Sequence, residues 1–338
     1  MGPALAQARL HSFGSRLALS WSPAQRGWQA KRLTNFILQR LWHGVIVVLG
    51  VTTIVFFVTR VIGDPVQLML PVEATLEQRA LMRHQLGLDL PMLQQFVQFV
   101  RGVATFDFGD SLWQRRPAMD IVLQRLPMTA LLTAVGIGAA ILLSIPLGII
   151  AALRPDGVVD RTTVVVSLAG LSIPQFWLGL LLIILFGVKL GWLPTSGARS
   201  PLHIVLPALT LALPSLARLI MVVRTAMMDE LNRQYVKVAR SKGLSGLRVV
   251  GTHALRNAAV PILTLSGWEV IGALAGNVVV VETIFAWPGL GLTVVQAIER
   301  QDLVLLQAVV FTVAILAVGI NLALDIIHKA IDPRVGIR

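Results

Sequence analysis

Four stretches of this chain run for the length of a membrane-spanning helix without one Asp, Glu, Lys or Arg. Pro127–Leu153 and Thr162–Val188 hold 27 residues each, Leu303–Leu324 holds 22 and Leu41–Thr59 holds 19. A hydrocarbon core about 30 Å thick needs about 20 helical residues to cross it. Two further runs carry isolated charges: residues 203–223, interrupted by Arg218, and residues 258–283, interrupted by Glu269 and Glu282. Six crossings are therefore expected, near residues 38–62, 127–153, 162–188, 203–224, 258–283 and 303–326. Helices satisfy every backbone group internally where water is absent. The alternating ten-residue segments of a membrane barrel are missing. The expected class is an all-α polytopic membrane protein. Composition agrees, because 55% of the 338 residues are hydrophobic and only 14% are charged, against roughly 25% charged in soluble domains.

The basic residues orient these spans. With an even number of crossings both termini lie on one side, and placing that side in the cytoplasm gathers 19 of the 29 Lys and Arg residues there. Six of the remaining ten lie in one long loop, residues 64–126, where charge has little effect on topology. The net charge of +12 is then a collar facing anionic lipid headgroups and requires no nucleic acid. Residues 1–32 lack the apolar core of a secretion signal and read as a disordered cytoplasmic tail.

Two connections are longer than a turn needs. In residues 64–126, Thr75 and Gln78 are spaced as a capping box, opening a helix that Gly87 ends. Pro91 opens a second helix, with Leu93, Phe96, Val97 and Val100 on one face. A third helix from Pro117 to Arg125 leads into the second span. In residues 225–257, Tyr235–Lys242 is helix-like, Gly243 stops it, and Ser245 is placed to cap a short second helix. The basic character of this loop suits either a solvated face or a docking element for a soluble partner.

Within the spans, Glu269 is expected to face a bundle interior or an aqueous path. It either lines a pore or bonds to a neighbouring span or subunit. Gly272 and Gly276 form a candidate close-packing face. Asn277 and Asn321 are candidate hydrogen-bonding groups between helices, and Arg218 is expected to snorkel to the cytoplasmic surface. Pro146, Pro174, Pro207 and Pro214 are candidate kinks. Residues 282–291 read equally as a re-entrant lid or as a plain turn. No catalytic constellation emerges. None of the five lysines follows a glycine, no His precedes a Glu, and cysteine is absent, which excludes phosphate-loop, helical zinc-protease and thiolate chemistry. No metal site is expected.

The basic loop carries a resemblance. Lys237-Val238-Ala239-Arg240-Ser241-Lys242-Gly243, followed by His253-Ala254-Leu255-Arg256-Asn257-Ala258, resembles the signature loop of binding-protein-dependent ABC importer permeases. Ala239, Gly243 and Leu255 match the general form. Lys237 stands at the usual Glu position, Val238 at an Ala, His253 at the Ile and Arg256 at the Pro, and these departures resemble the dipeptide, oligopeptide and nickel branch. Gly63-Asp64-Pro65, Leu86-Gly87-Leu88-Asp89 with Pro91, Asp107-Phe108-Gly109, Ile173-Pro174-Gln175-Phe176-Trp177, Glu282–Gly291 and Asp332-Pro333-Arg334 extend the resemblance over residues 33–336. It looks like the first permease of a pair, the one with the long first outer loop.

The resemblance implies a type I importer permease in a bacterial inner membrane. Its partners would be a second, similar permease, two cytoplasmic ATPases and an extracytoplasmic substrate-binding protein. ATP and Mg2+ would be used by the ATPases, with no cofactor on this chain. Lys237, Ala239, Arg240, Lys242, Gly243, Leu244, Ser245, His253, Leu255 and Arg256 would form the ATPase-coupling element. Glu269, Gly272, Gly276 and Asn277 are candidates for the pore or the permease interface. The cargo would be short peptides or related small solutes. The competing reading is a secondary transporter with no ATPase, which would show inverted repeats and broken helices with midplane ion ligands.

Overall fold

The computed structural model describes residues 23–62, 66, 74–85 and 87–331. Gly63-Asp64-Pro65, Leu86, Asp332-Pro333-Arg334 and the first 22 residues lie outside it. The chain divides into two compact units, residues 1–46 and 47–338. Helix α1 (Pro23–Ile62) begins inside the stretch expected to be a tail. All remaining contacts below lie within the second unit.

The loop 64–126 is built largely as expected. Helix α2 (Leu76–Gln85) opens on a reciprocal capping box: Thr75 N–H donates to Gln78 Oε1 at 3.0 Å and Gln78 N–H to Thr75 Oγ1 at 3.2 Å. After Gly87, at φ +64°, comes α3 (Met92–Thr105). Its buried face is rotated from the expected one, since Leu93 and Val97 are exposed. The reason is an aromatic cluster. Phe96 and Phe99 pack on Phe56, Phe96 stacks on Phe57, and Phe99 continues through Phe108 to Phe311. The expected third helix is the first part of α4 (Ala118–Leu153), which runs unbroken through Pro127 and Pro146.

The third apolar run does not make one straight helix. Helices α5 (Val158–Ser172) and α6 (Gln175–Lys189) meet at 98°. Proline forces its predecessor out of the helical region, and Ile173 and Pro174 are both extended, at ψ 120° and 136°. Helix α7 (Val205–Leu231) continues a short 3-10 turn at Pro201–Ile204 and passes Pro214 without interruption. Of the four candidate kinks, Pro174 is the one that breaks a helix. Among the described residues, five helices are long and apolar enough to cross a membrane, six if the bent pair counts as one crossing.

The most extensive helix packing is that of α4 against α7. Gly136, Ala140, Ser144 and Gly148 recur every four residues along the buried face of α4. Small residues at this spacing let backbones approach closely. A Cβ at Gly148 would lie 2.6 Å from Val223 Cβ, and one at Gly136 3.1 Å from the Ala208 carbonyl oxygen. At Gly272 and Gly276, the pair singled out in the sequence, an added Cβ meets nothing within 4 Å. The close-packing face within this chain is therefore on α4. Elsewhere Leu142, Val165, Val166 and many other apolar side chains are exposed, as a lipid-facing surface requires.

Candidate coupling and translocation site

The signature loop folds as a compact knuckle. Helix α8 (Gln234–Ser241) buries Val236 and Ala239 against Val249, with Leu231 and Leu244 closing the cluster. It ends in a Schellman motif. Leu244 N–H donates to the Ala239 carbonyl at 3.3 Å and Gly243 N–H to that of Arg240 at 2.9 Å, with Gly243 at φ +78°. These bonds satisfy the orphan carbonyls at the helix end. A left-handed residue is what the closure needs, and glycine adopts that conformation without steric cost.

After Ser245 the chain enters α9, helical from Gly246 to Ile284. The expected second loop helix is thus the start of the fifth span itself. Ser245 occupies the N-cap position with extended backbone, but its side chain makes no capping bond. His253 lies in a π-turn (Val249–Ala254), and Leu255 and Arg256 open the regular helix that follows. These three residues belong to the rising helix, whereas Lys237, Arg240, Lys242, Gly243 and Ser245 are exposed on the knuckle. Leu247 is 89% exposed beside them. A basic knob with an apolar tip therefore sits at the foot of a 39-residue helix.

Beside the knuckle, Ala152, Val223, Met227, Ala254, Ala258 and Ile262 pack α4, α7 and the foot of α9 together. An ion pair fixes the neighbouring turn: Arg224 donates through Nε and Nη2 to Asp160, the second bond being 2.7 Å, and Asp156 N–H also donates to Asp160 at 2.9 Å.

Mid-bundle, Glu269 is 6% exposed and bound to α7. Arg218 donates from Nε to Oε1 and from Nη2 to Oε2 at 2.8 Å, and Ser215 Oγ donates to Oε2 at 2.7 Å. Of the two readings open for Glu269, the structure shows the bond to a neighbouring span: the carboxylate is sealed against α7 of its own chain. The expectation for Arg218 is corrected, because it turns to Glu269 and does not snorkel. Pairing explains both, because a buried carboxylate needs charge-assisted partners and a bidentate guanidinium supplies them. Asn277 is half-buried in a second π-turn, Ala273–Asn277. Asn321 donates to the Ala317 carbonyl of its own helix, not across helices.

At the opposite end, residues 282–291 form neither a loose lid nor a simple turn. Glu282 is fully buried, accepting from Thr129 Oγ1 at 2.7 Å and Leu292 N–H at 3.0 Å. Leu290 N–H donates to Thr129 Oγ1 at 2.7 Å, and Trp287 Nε1–H to the Met128 carbonyl at 3.0 Å. Glycine at 289 leaves the space that the Glu282 carboxylate fills. The segment then continues as α10 (Leu290–Glu299), and α11 (Leu303–Ile331) follows. Between them Asp302, also fully buried, accepts from Ser111 Oγ, Trp113 N–H and Leu305 N–H.

Residues 144–337 match the family described as binding-protein-dependent transport system inner membrane component. The chain belongs to that family. Residues 33–133 match its N-terminal companion. Over 304 residues this permease is 38% identical to the glutathione transport system permease protein GsiC of Escherichia coli K12, covering 90% of this chain and 99% of that protein. Against GsiC of Shigella flexneri serotype 5b it is 37% identical over the same length. Among solved structures, a chain of the inward-facing MetNI methionine ABC transporter superposes with a TM-score of 0.54 at 21% identity. The match covers 63% of this chain and 97% of that one. The protein is thus a multi-pass inner-membrane permease of a binding-protein-dependent ABC importer, with the type I permease fold. Nothing found supports the secondary-transporter alternative.

Three polar nodes of the permease were not assembled from the sequence: Asp160 with Arg224, Thr129 with Glu282, and Ser111 with Asp302. Their charges all sit at the ends of apolar runs. A charge there that lacks a like-charged neighbour is the signal that could have marked them, although its partner is more than 60 residues away in each case.

Proposed function

We propose that this permease forms half of a translocation path with a second, similar permease. In this reading two ATPases dock beneath and a substrate-binding protein delivers cargo from the extracytoplasmic side. ATP and Mg2+ act on the ATPases, and this chain supplies no catalytic group or cofactor. Both termini and the knuckle lie in the cytoplasm, as the basic collar favours. The cargo is a small peptide-like solute; the likeness to glutathione permeases supports glutathione or a short peptide as the first compounds to try.

One observation carries the mechanism: the glycine-closed knuckle is packed onto the foot of the helix that continues to Ile284. Residues of the knuckle contact the ATPase, with Lys237, Arg240 and Lys242 reaching acidic or polar partners and Leu247 an apolar recess. When ATP draws the ATPases together the knuckle moves, and α9 moves with it as a lever. Alternation between outward- and inward-open states is rigid-body switching, with no bond made or broken in this chain.

The test is purification of the tagged chain from its native membrane in mild detergent, followed by reconstitution. A second permease and two ATPases should copurify. Vesicles holding the complex, its binding protein and internal ATP should accumulate glutathione or a dipeptide. Uptake that follows a proton gradient and ignores ATP would overturn the proposal.

A further inference from the structure

We infer that Arg218 is the group through which the permease meets negative charge on its cargo, with Glu269 as the positioning residue that aims it. The inference deepens the importer reading above and rests on it. Arg218 lies near the middle of the Pro201–Leu231 span, and Glu269 near the middle of Gly246–Ile284. Glu269 is sealed, and both its oxygens are engaged by Arg218 Nε, Arg218 Nη2 and Ser215 Oγ. The guanidinium behaves differently. Its side chain is 39% exposed, and Nη1 is not engaged by Glu269. A half-exposed cation at the centre of a span is costly against lipid, so it belongs on water or protein.

Along its own face of α7, toward Leu231, the helix turns polar. Seven and eleven residues along the same helix bring Thr225 and Asp229 to the face of Arg218, and both are exposed. Toward the other end of α7, Leu209 and Leu213 are exposed on the opposite side, as a lipid face demands. One side of the helix is therefore suited to lipid and the other to an aqueous path shared with the second permease.

The chemistry follows from the geometry. Glu269 holds one edge of the planar guanidinium and fixes its orientation, leaving Nη1 to donate to a passing carboxylate. Because the buried carboxylate offsets most of the charge, attraction at the open edge is moderate. A path must hold cargo weakly enough to release it. Solutes with a free carboxylate are the class that fits.

The test needs no knowledge of the cargo. The chain contains no cysteine, so Val222→Cys, one turn from Arg218, gives a single thiol. In the complete reconstituted complex, its reaction with an anionic and a cationic methanethiosulfonate is followed on this chain's own band. With Arg218 and Glu269 in place the anionic reagent is favoured relative to free thiol. Glu269→Gln should raise the anionic-to-cationic rate ratio, because the cation loses its counter-charge. Arg218→Gln combined with Glu269→Gln, which leaves no buried charge unpaired, should lower it about fivefold. A ratio unchanged across the three backgrounds would overturn the inference. So would a thiol that neither reagent reaches, which would mean a face sealed by lipid or by the second permease. If labelling follows the expected order but the complex shows no ATP-driven uptake, the importer reading fails while the charged path stands.

Discussion

Replacing Gly243 is the cleanest way to ask whether the knuckle transmits motion. An added Cβ there meets nothing within 4 Å, so a substitution brings no packing clash and acts on the backbone alone. At φ +78° an ordinary L-residue costs about 1–2 kcal/mol, with Asn below that range and a β-branched residue above it. A cost of about 2 kcal/mol shifts the population of the closed Schellman turn by about thirtyfold. Leu244 would then leave the Val236–Ala239–Val249 cluster, and the knob would lose its rigid seat. Gly243→Asn, Gly243→Ala and Gly243→Val should therefore lower uptake in that order in reconstituted vesicles. Complex yield and basal ATPase activity should hold, and the stimulation by loaded binding protein should fall in parallel with uptake. Equal behaviour of the Asn and Val variants, or normal transport by Gly243→Val, would refute the reasoning.

Other expectations follow from the same contacts. Gly148→Ala puts a methyl against Val223 and 3.0 Å from the Ile220 carbonyl oxygen; overpacking of this kind costs about 1–3 kcal/mol, so the detergent-solubilised protein should melt several degrees lower. Glu282→Ala strands Thr129 and the Leu292 N–H and should cut the yield of folded protein, while Glu282→Gln, whose one carbonyl oxygen can accept from Leu292 N–H while its amide NH2 donates to Thr129 Oγ1, should retain more of it. His84 Nδ1 lies 2.6 Å from Asp89 Oδ2 across the α2–α3 turn. The hydrogen bond to Asp89 raises the His84 pKa, and the same bond lowers that of Asp89. The contact therefore stabilises the turn between those two values. It is lost as pH rises through the folded pKa of His84 and again as pH falls through that of Asp89. Protease resistance of the turn should show this window, and His84→Ala should abolish it.

The apolar runs, the capping box at Thr75 and the left-handed Gly243 were legible in the sequence because each is a local pattern with one physical solution. Pairings were not. Nothing in the spacing of Glu269 says that Arg218, 51 positions earlier, supplies its counter-charge. Each charge alone suggests remedies that do not name the other: snorkelling for Arg218, and a bundle interior or an aqueous path for Glu269. The break at Pro174 was hidden among four prolines of similar context. Pro146 and Pro214 stay inside helices, while Pro174 and its extended predecessor separate two. Gly272 and Gly276 mark a close-packing face in the sequence because their four-residue spacing is obvious. The longer small-residue row of α4 mixes Ala140 and Ser144 with its glycines and so looks like ordinary span composition. The sequence suggests a fifth helix starting at Ala258 because the basic loop before it reads as polar. In the fold the π-turn at Val249–Ala254 carries the helix straight through that stretch.

In the proposed mechanism the knuckle seats on an ATPase and follows it. A photo-crosslinking amino acid in place of Leu247, the most exposed apolar side chain of that element, tests it in the purified complex. A covalent adduct with the ATPase subunit is expected, its yield changing when ATP is added, with no such adduct from Ser196 at the far end of the bundle. An ATPase adduct from Ser196, or none from Leu247 in a complex that transports, would contradict it.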